Sequence, residues 1–74
     1  MPKAQAAKIA DSADLIVGGY AMMQHELGIR IVNLDSGNAL IVSKDYELLE
    51  TSMEDLEVAV AIGYLKTNRS FLEA

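Results

Sequence analysis

Residues 13–28 read Ala13-Asp14-Leu15-Ile16-Val17-Gly18-Gly19-Tyr20-Ala21-Met22-Met23-Gln24-His25-Glu26-Leu27-Gly28, and the fold turns on how this run is parsed. Extended back to Lys3, the apolar residues Ala6, Ile9, Ala13, Ile16, Tyr20, Met23 and Leu27 recur at alternating spacings of three and four. That is the period of one helix face, and polar Asp11, Asp14 and His25 fall opposite it. Pro2 suits a first helical turn and Gly28 a left-handed C-terminal cap, so the pattern predicts a helix from Lys3 to Leu27. Gly18 and Gly19 oppose this, each costing about 1 kcal/mol relative to alanine inside a helix. A rival parse ends the helix near Ser12 and places Leu15-Ile16-Val17 in a strand, because an apolar triplet before a glycine pair also fits a buried strand. The periodicity favours the helix, with residues 14–20 open between the two.

Downstream, Ile29 to Leu34 and Ala39 to Ser43 are rich in β-branched residues and flank Asp35-Ser36-Gly37-Asn38, which has the chemistry of a hairpin turn. Alternation puts apolar residues on both sheet faces. A third strand is expected over Tyr46 to Glu50, after a turn at Lys44-Asp45. Thr51 and Glu54 match a capping box, and a second helix is expected from Met53 to about Asn68, or on to Leu72. Its acids, Glu54, Asp55 and Glu57, lie at the positive end of the dipole, and Lys66 and Arg69 at the negative end. The expected fold is therefore one α+β domain over residues 1–74: N-terminal helix, two- or three-stranded antiparallel meander, C-terminal helix.

At 74 residues the chain sits where a single core is thin, and it has no cysteine to cross-link. Disulfides and thiolate zinc sites are excluded, and the lone His25 leaves no histidine metal site. With 51% hydrophobic residues, self-association is the expected supplement, most simply a homodimer. On the C-terminal helix one stripe holds Met53, Leu56, Val60 and Tyr64, and a second holds Val58, Ile62 and Leu65. The first stripe is assigned to the monomer core and the second to the interface. No run approaches the roughly 18 apolar residues of a membrane span, and Met1 to Lys8 lacks the order of a secretory signal, so a cytoplasmic location is expected.

The formal net charge is −5, with acids concentrated from Asp45 to Glu57. Six basic residues are spread along the chain without a cluster, which gives no electrostatic footprint for nucleic acid. The candidate chemical motifs fail individually. His25-Glu26 lacks the second histidine of a zincin helix, since Ile29 stands there. Gly18-Gly19 has neither dinucleotide nor P-loop spacing. Asn33, Asp35 and Ser36 lack the acids of a calcium loop. No nucleophile elbow occurs. The sequence thus predicts a non-enzyme without cofactor: a small interaction or regulatory module with a protein partner, or alternatively a nucleic-acid-linked, antitoxin-like regulator or a small-molecule binding domain.

Overall fold

The computed structural model describes residues 13–73. Five antiparallel strands precede one helix in this span: β1 (Leu15–Val17), β2 (Tyr20–His25), β3 (Gly28–Asn33), β4 (Ala39–Val42), β5 (Leu48–Thr51) and α1 (Asp55–Glu73). Sheet order follows chain order, so each strand pairs with its sequence neighbour and β1 and β5 form the edges.

The helix expected from Lys3 to Leu27 is, over its described part, a β-hairpin, and the αββ(β)α layout gives way to a five-stranded meander followed by a helix. Residues 3–12 of that expectation lie outside the described residues. The glycine pair decides the outcome. Gly18 and Gly19 adopt φ of 58° and 82°, the two positive angles of a type I′ turn, whose twist suits a two-residue hairpin and which no helix accommodates. The turn sets the register Val17↔Tyr20, Ile16↔Ala21 and Leu15↔Met22. The three-four spacing of Ile16, Tyr20 and Met23 therefore spans two strands and a bend. The parse that made Leu15-Ile16-Val17 a strand is the one realised.

Gly28, expected as a helix cap, instead opens β3 at φ 151°, where a Cβ would collide with the Val42 carbonyl oxygen. The β3–β4 connection behaves as its residues suggest. Asn33 Oδ1 accepts the Asp35 and Ser36 N–H groups at 2.8 and 3.1 Å, and Gly37 takes φ 82°. The third expected strand is present but shifted to Leu48–Thr51, because Tyr46 adopts φ 67° and Ser43 Oγ accepts the Asp45 and Glu47 N–H groups. The expected capping box is also altered. Thr51, still in β5, accepts the Met53 N–H at 2.9 Å, and the bond from Val58 N–H to the Glu54 carbonyl begins the helix.

α1 lies on one sheet face. Met22, Ile31, Leu40 and Leu65 are fully buried there, with Tyr20, Ile29, Val42, Met53, Ala61 and Leu72 around them. By alternation the opposite face carries Ile16, Ala21, Met23, His25, Arg30, Val32 and Ile41. Ala21 and Val32, paired there, are buried as well.

Candidate functional site

The outward face of α1 departs most from an ordinary surface. Residues four and about seven apart on a helix share a side, and this rule brings Leu56, Val60, Tyr64 and Phe71 to solvent at 79%, 44%, 37% and 68% exposure. Between them lie Ala59, Gly63, Thr67 and Ser70, all exposed. None of these side chains is charged, whereas a surface helix normally turns its charged residues outward. Gly63 adds to the anomaly. A Cβ there would meet nothing within 4 Å, so packing inside the subunit does not require a glycine.

The residues expected at an interface lie elsewhere. Leu65 is fully buried in the core, and Val58 and Ile62 are half-buried and packed against it. Leu56, read from the sequence as part of the monomer core, is exposed. Met53, grouped with Leu56 on the helical wheel, precedes α1 and is buried with Leu65, and without the position of the sheet the wheel does not tell which stripe faces inward.

A cavity of about 420 Å³ crosses the sheet face opposite α1, lined by His25, Arg30, Ile41, Glu50, Thr51 and Ser52, with Ala39 and Leu40 beneath. β2, β3, β4 and β5 each contribute, and the row Arg30↔Ile41↔Glu50 places the guanidinium and carboxylate one strand apart on either side of Ile41. His25 Nδ1 accepts the Leu27 N–H at 3.1 Å. The sequence places His25 only on the polar side of the expected helix. It is in fact half-buried at the end of β2, and no local motif foretells its place beside Arg30.

A third feature gathers three of the basic residues that look scattered in sequence. Lys66 Nζ and Arg69 Cζ stand 5.1 and 4.8 Å from the Tyr46 ring centre, and Arg69 donates to the Lys44 carbonyl oxygen at 2.6 Å. Tyr20, its ring tilted 41° to that of Tyr64 with 5.7 Å between centres, has its pKa raised, first by burial and then by the fields of Glu57 and Tyr64, against a lowering hydrogen bond with Asn33. Among the described residues no group of three or more His, Asp or Glu is placed to hold a metal, and no helix is long and apolar enough to cross a membrane.

These features define a small α+β domain, an antiparallel meander backed by a single helix with an uncharged outer face. Over residues 3–72 the chain matches a family described as of unknown function, DUF7723, and it belongs to that family. No curated protein and no solved structure matches it.

Proposed function

We propose that this domain is a non-catalytic protein–protein interaction module that works as a homodimer, its copies joined through the outward face of α1. The observation that carries the reading is the uncharged stripe of Leu56, Val60, Tyr64 and Phe71 turned to solvent. A second copy fits it well. In an antiparallel helix pair centred between Gly63 and Tyr64, Leu56 lies against the partner's Phe71, Val60 against the partner's Thr67, and Tyr64 against the partner's Gly63. The small residues then let the backbones approach. The same arrangement runs the two helices antiparallel, so that their dipoles oppose favourably. The stripe of Val58, Ile62 and Leu65 is turned to the sheet and leaves this face as the one available. The cysteine-free sequence suits the reducing cytoplasm.

Sedimentation equilibrium at micromolar concentration tests the reading. The expected result is a dimer that Leu56→Asp converts to a folded monomer, because a carboxylate buried without a partner costs several kcal/mol in the interface and little on a free surface. A monomer mass for the unaltered protein at high concentration, or a dimer retained by Leu56→Asp, overturns it. Circular dichroism confirms that the variant is folded. The gathering of Lys44, Lys66 and Arg69 favours a second reading, a regulator that contacts nucleic acid through a dimer. A salt-dependent mobility shift with mixed DNA supports that reading, and no binding at low salt removes it.

A further inference from the structure

We infer that the groove across the far sheet face is a binding site for a small organic monocarboxylate with an apolar body, held by Arg30. The volume of about 420 Å³ lies within the range of small-ligand sites. Its floor is apolar at Ile41 and Ala39, and its polar groups stand at the walls, the distribution that orients a ligand by one end while burying the other. Arg30 is half-buried, and among the described residues no hydrogen bond or ion pair engages its guanidinium. A planar fork of donors beside the apolar patch of Ile41 and Ala39 matches a carboxylate in two parallel hydrogen bonds.

His25 supplies a second donor. Its Nδ1 accepts the Leu27 N–H, so the neutral ring carries its proton on Nε2. His25 pairs with Gly28, two residues before Arg30, which sets the imidazole diagonal to the guanidinium on the same face, within reach of one ligand end.

Glu50 gives the site its selectivity. It lines the same groove, one strand beyond Ile41, and is exposed. A second negative charge on a ligand bound at Arg30 meets this carboxylate, so monoanions are preferred over dianions and over phosphates. The Thr51 and Ser52 hydroxyls are committed to the backbone around Ala39 and Met53, and they shape the rim rather than bind.

Benzoate, benzamide and phthalate are suitable probes: a monoanion, its neutral isostere and a dianion. Amide chemical shifts of the full chain are followed during titration with each. Benzoate is expected to saturate in the millimolar range, as befits a fragment of its size, with shifts centred on Arg30, Ile41 and Glu50. Benzamide should bind at least about tenfold more weakly, since it lacks the charge that strengthens the guanidinium bonds. Phthalate should fall below benzoate, and Glu50→Gln should narrow that gap. Arg30→Gln should abolish benzoate binding, with unchanged shift dispersion elsewhere showing that the sheet is intact. If Arg30→Gln unfolds the chain, Arg30→Lys replaces it and should weaken benzoate while keeping the fold. No saturable shift with benzoate in the millimolar range, equal binding of benzamide, or benzoate binding unaffected by the Arg30 variant overturns the proposal. Binding in the Leu56→Asp monomer separates this site from the dimer reading, because the groove lies across the sheet from α1.

Discussion

Replacing Gly63 with alanine separates what the subunit needs from what a partner needs. Gly63 is a mid-helix residue of α1 without a positive φ, and its added methyl would meet nothing within 4 Å. Within one subunit, therefore, the only term left is backbone entropy, and Gly63→Ala should stabilise by about 0.8–1 kcal/mol. For a domain of this size that raises Tm by roughly 4–8 °C. In a helix pair centred on residues 63 and 64, the methyl instead enters the closest backbone approach. Overpacking of this kind costs about 1–3 kcal/mol, a dissociation constant raised roughly fivefold to a hundredfold. Urea unfolding in the monomeric Leu56→Asp background should show the gain, and sedimentation of the single variant should show the loss of association. If Gly63→Ala leaves the dissociation constant unchanged, or destabilises the monomeric background, the reasoning about this face is wrong.

Three further substitutions probe the fold. Gly28→Ala should destabilise by about 3 kcal/mol or prevent folding, because its methyl collides with the rigid Val42 carbonyl at a φ that alanine rarely adopts; the urea midpoint reports it. Leu65→Ala should cost about 2–5 kcal/mol, whereas Leu56→Ala in a dilute monomer should change stability by no more than about 0.5 kcal/mol, a contrast that denaturant titration reads directly. Tyr20 predicts the alkaline limb. Its folded pKa is raised above the ordinary 10.0, so the unfolded chain ionises first. Its contribution is whole below that value and is lost as pH rises through the raised one, and Tyr20→Phe should flatten the decline in urea midpoint.

The legible part of the fold was its local chemistry. Asp35, Ser36, Gly37 and Asn38 announced their turn, β-branched runs announced β3 and β4, and the acids of the first turn announced α1. The N-terminal half misled for a physical reason. Hairpin strands with a two-residue turn place Ile16, Tyr20 and Met23 at intervals that a helix also produces, and only the backbone angles of Gly18 and Gly19 distinguish the two. Their combined cost of about 2 kcal/mol inside a helix was the stronger signal. The surfaces were less legible, because they depend on which stripe of α1 meets the sheet. That choice is made by the shape of a meander whose first hairpin carries a helix-like spacing. Arg30, His25 and Glu50 come together only through pairings across four strands, and no spacing along the chain encodes them.

The contact at Tyr46 fixes an order of events. A tyrosine at φ 67° is a conformation that an isolated turn resists. It is held by Lys66 and Arg69 from the far half of α1, and the bond from Arg69 to Lys44 closes a loop of 25 residues. Contacts of that reach form only after the chain between them has collapsed. The β2–β3 and β3–β4 hairpins can therefore assemble early, while the connection into β5 waits until α1 has docked. In reverse, loosening of the last turns of α1 releases Tyr46 first, and β5, an edge strand exposed at every residue, is expected to exchange its amides with solvent before β3 and β4.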